Sequence, residues 1–493
     1  MKKTVSLLVC LAMLLPLASC AADTNEPTTG ETAADAVAET ETETEKIVFA
    51  ADIPEGTDYS GANFNVLTYP LEGDLVWNDT DWNATEVTGE AINDAVYQRI
   101  QQVEELLNVD ITTAPASAYS DATTLTKSVQ AGDNAYQLAN MAMKYTFNVM
   151  QQGYLAELNK FAADGTLQLD APWWDGNILS DLSIDGKNFC ILGDIGTMYK
   201  KSIGVIMFNK TIQIDYDLPD FYEVMAEGNW TIDTMVEAGV QVSDDLDGDG
   251  EITAEDRFGL ICFCDMIALA MIGCDVDFFT KDAADIPSMS FYSERSVAVM
   301  EKLAELMYNP SLSYSWSKEG VGEAPAFTMF QEDKSLFYYG ELHAVATMRT
   351  MESNFGIMPM PKFNQEQANY NHCLNPNVAA AYAIPKSNAD TVMTGHVMDA
   401  LGAASKNLLT PAYYDITLRG KVSRDEESAA SLDIVISTIK YDLGYLGDWG
   451  INSILYSMAN AYNTDLASKI QGIEGSVATK VEKMVTAVSE LES

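Results

Sequence analysis

The feature that most constrains this 493-residue chain is the order of its apolar periods, which switch between strand-like alternation and helix-like recurrence. Phe64-Asn65-Val66-Leu67 alternates and reads as a strand. Ile92, Val96, Ile100, Val103 and Leu107 recur at spacings of four, four, three and four, which puts them on one face of a helix over 89–108. Glu90 and Asp94 stand near its start, where the helix dipole favours acids. Residues 109–112 read as the next strand and 136–141 as a further one, followed by a helix through Leu158. Such alternation predicts α/β architecture with mainly parallel sheets, because a parallel pair needs a long crossover that a helix can supply. Asp185-Gly186-Lys187 reads as a hairpin turn before Phe189-Cys190-Ile191-Leu192. A chain of this length can bury a large core and should divide into more than one lobe.

The N-terminus has a different grammar. Lys2 and Lys3 precede an apolar run from Leu7 to Leu17 that Pro16 interrupts. This run is too short to span a bilayer as a helix and reads as a removable export signal. Leu17-Ala18-Ser19-Cys20 resembles a bacterial lipobox, whose cysteine is lipidated and becomes the first mature residue. The expectation is a signal peptide over 1–19, lipidation at Cys20, and an exported protein anchored by lipid to the outer face of the cell membrane. Residues 20–45 hold eight acids, no base and no aromatic residue. A segment of that composition cannot bury enough apolar surface to offset chain entropy, so it predicts a disordered acidic tether. As a flexible coil it would reach on the order of 25–30 Å.

Charge and cysteine content remove several function classes. Against 28 Lys and Arg stand 73 Asp and Glu, a net charge of −45. Nucleic acid is excluded on this count, since phosphates need basic side chains to displace their counterions. Anionic membrane surfaces and highly anionic substrates are disfavoured too. Apart from Cys10 and Cys20, five cysteines remain: Cys190, Cys262, Cys264, Cys274 and Cys373. An odd number scattered over a large chain is not a disulfide framework, and Cys262-Phe263-Cys264 alternates like a buried strand. The three histidines, His343, His372 and His396, show no H-E-x-x-H spacing, and there is neither a G-x-S-x-G elbow nor a phosphate-cradling glycine loop. A binding protein rather than an enzyme is therefore expected. A cell-surface glycan hydrolase is the alternative, because paired carboxylates could stand anywhere among so many acids.

One acidic segment has a defined spacing. Residues 245–256 match the EF-hand loop: Asp245, Asp247 and Asp249 at positions one, three and five, Gly250 at the sharp turn, Glu251 at seven, Ile252 as the apolar anchor, Thr253 at nine and Asp256 at twelve. This pattern wraps oxygens around one calcium ion (Ca2+), with a structural role. Aspartate in place of glutamate at position twelve resembles dockerin-type loops. That feature suggests a second alternative, a surface scaffold or adhesin, although a dockerin carries two such loops and only one is found.

Several motifs in order resemble a known family. Thr88-Gly89-Glu90-Ala91-Ile92-Asn93-Asp94-Ala95-Val96-Tyr97 opens the first helix, Gly153-Tyr154-Leu155-Ala156-Glu157-Leu158 closes another, and Asp185-Gly186-Lys187 precedes a strand. Phe208-Asn209-Lys210, Gly228-Asn229-Trp230-Thr231-Ile232-Asp233 and Phe355-Gly356-Ile357-Met358-Pro359-Met360-Pro361-Lys362 come later. Together they resemble the extracellular solute-binding proteins of ABC importers, of the type that includes maltose-binding protein. The resemblance implies a two-lobe periplasmic-binding-protein type II-like fold with a ligand cleft between the lobes. Lobe one would take 46–196 plus 340–378, and lobe two 197–339 plus 379–493. It also implies a monomer that captures a carbohydrate, an oligosaccharide for preference, and delivers it to permease subunits, with the membrane reached through the N-terminal lipid only.

Candidate ligand residues follow from both lines of reasoning. Sugar clefts set aromatic faces against C–H surfaces and carboxylates against hydroxyls. Trp77, Asp79 and Trp82 come soon after the first strand, where loops of open α/β sheets face ligands. The resemblance adds Tyr145, after the 136–141 strand, and Trp449, in Gly447-Asp448-Trp449-Gly450. Tyr339 and Glu341 flank Gly340 after the strand 335–338, and Trp316 is a further candidate from lobe two. Trp230 precedes a helix start that Thr231 would cap, and with Trp173-Trp174 it is expected to pack structurally.

Overall fold

The structure, a computed structural model, describes residues 48–68, 81–117, 121–348, 351–414 and 426–490. The signal peptide, Cys20, the tether, Trp77 and Asp79 lie outside the described residues.

In chain order the strands are β1 (Ala62–Thr68), β2 (Val109–Pro115), β3 (Leu138–Ala142), β4 (Gly204–Asn209), β5 (Phe258–Cys262), β6 (Phe279–Lys281), β7 (Pro287–Met289), β8 (Ser313–Ser315), β9 (Ser335–Glu341), β10 (Phe355–Met358) and β11 (Ala380–Ala383). They form two principal sheets and a small β6–β7 hairpin. The first sheet has the order β11-β3-β1-β2, with β1 parallel to β2 from Ala62–Val109 to Thr68–Pro115 and parallel to β3 at Val66–Leu138. β11 closes its edge antiparallel to β3. The second sheet has the order β10-β4-β9-β5-β8, in which β5 is parallel to both β8 and β9 while β4 runs antiparallel to β9 and β10.

Sheet pairing divides the chain differently from the expected lobe boundaries. β10 falls within 340–378 yet pairs with β4 of the second sheet, and β11 falls within 379–493 yet pairs with β3 of the first. Four-residue apolar strands carry no mark of which sheet they join; only the hydrogen-bonded neighbour decides it. The chain thus returns to the first sheet between β10 and β11.

Most local expectations are met. Val96, Ile100, Val103 and Leu107 are buried on one face of the helix Ala91–Leu107, which packs on the helix Thr391–Asn407. Arg99 shares that buried face. Its guanidinium donates to Ser405 Oγ at 2.7 Å and to the carbonyls of Ile195 and Asp81. The helix expected to run through Leu158 instead stops at Gln151. Gly153 adopts φ +72°, Tyr154 N–H returns to the Val149 carbonyl, and a new helix begins at Leu158. Asp185 and Gly186 both have positive φ, as a type I′ turn requires. Beyond that turn no regular strand forms at 189–192; Ile191 exchanges backbone hydrogen bonds with Tyr382 only. Thr231 caps its helix by accepting from Thr234 N–H, and the buried Trp230 indole donates to the Pro359 carbonyl at 2.8 Å. Trp173 and Trp174 both donate to Asp399 Oδ1 at 3.1 Å. The five cysteines are free and buried.

His372 is fully buried within the β10–β11 connection. Its Nε2 accepts from Met360 N–H at 3.1 Å, so Nδ1–H is the group that faces Thr438 Oγ1 at 2.8 Å. Burial pushes its pKa from 6.5 down to about 3. The unfolded chain therefore binds a proton here that the folded chain refuses. Stability should fall as pH drops from about 6.5 towards 3, and the His372→Gln protein should lose that component of the slope in melting curves taken across this range.

Candidate functional site

Parallel strands place their C-terminal ends, and the loops leaving them, along one sheet edge. Tyr145, Trp316 and Glu341 sit there. β3 is followed at once by Met143, Lys144 and Tyr145; in the second sheet β5 leads to Asp265, β8 to Trp316, and β9 ends in Glu341 with His343 two residues on.

Asp81 and Trp82 resume the described chain after β1. Asp81 is buried, and its carboxylate accepts from the Thr197 backbone N–H and hydroxyl, both at 2.6 Å, and from Met198 N–H at 3.2 Å. Trp82 is buried beside it, 5.1 Å from the Arg99 guanidinium and 6.2 Å from the Tyr382 ring. Tyr145 is half-buried against Ala142, Met198 and Ala380. Its neighbour Lys144 forms an ion pair at 2.5 Å with Asp448, in the loop between the helices Leu443–Leu446 and Ile451–Ala461. Asp448 holds the left-handed conformation, φ +47°. Trp449, next to it, is buried edge-on to Phe279 at 4.7 Å. Trp316 is half-buried and stacks on Phe263, with centroids 4.1 Å apart. Tyr339 and Glu341 are buried.

The centre of this region is a residue that sequence reasoning missed. The Asn375 side-chain amide donates to Asp265 Oδ2 at 3.0 Å and to Glu341 Oε1 at 2.9 Å. Its own backbone N–H donates to the Ser202 carbonyl, and its carbonyl accepts from Ala379 N–H, so it fixes the β10–β11 connection. Burial raises the pKa of Asp265 well above the usual carboxylate range, and the Glu341 charge adds to the rise. Burial raises Glu341 as well, with His343 opposing. Both groups keep protons to higher pH than in the unfolded chain, so the stability they contribute declines as pH rises past the ordinary carboxylate range. Asp265, His343, Lys144 and Asp448 were also missed. The only readable signal was Asn375-Pro376-Asn377, a turn-forming cluster between apolar runs. Chemically the region offers buried acceptors and two half-buried aromatic faces, a set that suits a ligand rich in hydroxyl donors.

The acidic loop folds around its own carboxylates. Asp245 accepts from the Gly248 and Gly250 N–H groups at 2.7 and 2.8 Å, Asp247 from Asp249 N–H, and Asp249 from Glu251 N–H. Asp256 is buried and accepts from Leu246 and Thr253 N–H. One oxygen each of Asp245, Asp247 and Asp256 lies within 4.8 Å of the others. Oxygens about 2.3–2.6 Å from a shared ion can be that far apart, so this set fits calcium. The Asp249 N–H pulls the Asp247 carboxyl down, but partial burial and the crowd of Asp249, Asp256 and Asp245 push it up and prevail. Thr253 and Glu251 are exposed, and Ile252, the expected apolar anchor, is 43% exposed rather than packed.

No family model matches the chain, and no curated protein matches it in sequence. Its fold does match solved structures. The cyclic alpha-maltosyl-1,6-maltose binding protein from Arthrobacter globiformis aligns with TM-score 0.55 and 14% identity, covering 87% of this chain and 99% of its own. An ABC substrate-binding protein from Listeria monocytogenes, in complex with cycloalternan, gives 0.54 and 10% identity over 87% and 99%. UgpB from Mycobacterium tuberculosis, in complex with glycerophosphocholine, gives 0.54 and 11% over 88% and 99%. The chain has the two-lobe α/β fold of these solute-binding proteins.

Asn375 compensates two buried carboxylates at once. Asn375→Ala leaves both without their shared donor, and urea denaturation should show a loss of about 3 kcal/mol.

Proposed function

We propose that this protein is the solute-binding component of an ABC importer and that its solute is a carbohydrate, an oligosaccharide for preference. The observation that supports this reading best, in a fold shared with sugar-binding proteins, is that Lys144 N–H, just past β3 of the first sheet, donates to the Pro376 carbonyl, next to the Asn375 amide that serves Asp265 and Glu341 of the second. Tyr145 and Lys144 come from the first sheet, Trp316 and Glu341 from the second, and the Lys144–Asp448 pair joins elements beyond the two. A solute held between them would touch both lobes and stabilise their closure, which the permease would then sense. Trp77 and Asp79 stand in the stretch before Asp81 and would complete the first lobe's contribution.

Export by the 1–19 signal, lipidation at Cys20 and an acidic tether over 20–45 belong to the same reading. They would hold a monomeric capture domain at the outer face of the membrane. No helix among the described residues is long and apolar enough to cross a membrane. Solute capture needs no covalent chemistry, so the protein works as a binder and not as an enzyme. Calcium in the 245–256 loop would neutralise the mutual repulsion of Asp245, Asp247 and Asp256, with Asp249, Glu251 and Thr253 completing the oxygen set.

Two tests separate these claims. A thermal-shift panel of oligosaccharides, peptides and glycerophosphodiesters should give its largest shift with an oligosaccharide. For that ligand Tyr145→Ala and Trp316→Ala should each weaken calorimetric affinity about tenfold, or ~1.4 kcal/mol; a panel in which no glycan shifts the melt defeats the sugar reading. Calcium chloride added to chelator-stripped protein should raise the melting temperature of the wild type and leave Asp247→Ala unchanged; equal melting of both, with and without calcium, removes calcium from the account.

A further inference from the structure

A second cluster of ligating groups lies apart from the acidic loop. Glu323 opens the helix Glu323–Gln331, Glu341 ends β9, and His343 follows. His343 Nε2 is 3.3 Å from Glu323 Oε1, and Nδ1 is 3.8 Å from Glu341 Oε2. One ligand atom from each of the three lies within 4.8 Å of the others. His343 is 5% exposed and Glu341 6%.

A further acid stands beside them. Asp265, 4% exposed, shares the Asn375 amide with Glu341. Among the described residues no lysine or arginine forms an ion pair with Asp265, Glu323 or Glu341. Two carboxylates thus flank the His343 imidazole, and a third acid, Asp265, stands behind Glu341 across the Asn375 amide. Buried acids keep their protons unless a counter-charge meets them, and among the described residues His343 is the one basic side chain paired with Glu323 and Glu341.

We propose that Glu323, Glu341 and His343 bind a divalent transition-metal cation of the zinc type. An imidazole with carboxylates is the donor set such ions take. The 3.3 Å between Nε2 and Glu323 Oε1 is about the separation of two donors on one tetrahedral ion whose bonds are ~2.0–2.2 Å long. The Glu341 carboxylate is the third ligand, and Asp265 supplies negative charge behind it. The ion ties the helix Glu323–Gln331 to the end of β9, next to the Asn375 crossing. This inference does not depend on which solute the protein captures.

The test uses the full exported chain, prepared without a polyhistidine tag, stripped with chelator and carrying Asp247→Ala so that the acidic loop does not contribute. Zinc chloride titrated by calorimetry should bind at one ion per chain, and cobalt(II) in its place should give the intense visible absorption of a tetrahedral site. Adding His343→Gln should weaken zinc binding at least tenfold and abolish the cobalt spectrum. If that protein does not fold by circular dichroism, Glu323→Gln, at a half-exposed position, must produce the tenfold loss instead. Absence of zinc binding in the Asp247→Ala protein overturns the proposal, as does binding that a folded His343→Gln or Glu323→Gln protein retains in full.

Discussion

Two buried carboxylates, Asp265 and Glu341, share one amide, and the segment supplying that amide carries the chain from the second sheet back to the first. This arrangement organises the site. Asp265 follows β5 and Glu341 ends β9, two parallel neighbours, so their acids necessarily emerge side by side. Buried acids that close hold on to a proton and need a donor between them. Asn375 is that donor, and its backbone bonds to Ser202 and Ala379 keep it in place. The polar centre of the site and one of the covalent links between the sheets are therefore the same piece of chain.

Around this centre the side chains divide into walls and faces. Trp82, Trp449 and Tyr339 are buried and shape the surroundings; Trp82 covers Arg99, and Trp449 braces against Phe279. Tyr145 and Trp316 remain half-buried and present surface. Between these groups Lys144 meets Asp448, whose left-handed backbone is an unfavourable conformation for a residue with a Cβ. Strain of that kind persists where the surroundings hold it, and the Lys144 ion pair and the buried Trp449 on either side supply the hold.

The acids of this protein fall into two kinds of cluster. In the 245–256 loop they lie within twelve residues of sequence, mostly exposed, and oriented by backbone N–H groups of the loop itself. At Glu323, Glu341 and His343 they come from separate elements, and tertiary packing alone assembles them. Local sequence spacing can reveal only the first kind.

The α/β class, the first helix and its buried face, the Thr231 cap, the Asp185-Gly186 turn and the burial of the free cysteines were legible in the sequence. Each depends on residues within one or two turns of one another, whose period or backbone preference is local. The loop geometry at 245–256 was legible for the same reason, except that Ile252 lies exposed. Sheet membership of β10 and β11 was not, because a short apolar strand pairs equally well with either sheet until its neighbour is known. The pairing of Asn375 with Asp265 and Glu341, the meeting of Lys144 with Asp448, and the gathering of Glu323 with His343 were decided by the tertiary structure alone. Those contacts join residues 20 to 304 positions apart, and only parallel pairing and the chain's return between sheets bring such distant side chains within bonding distance.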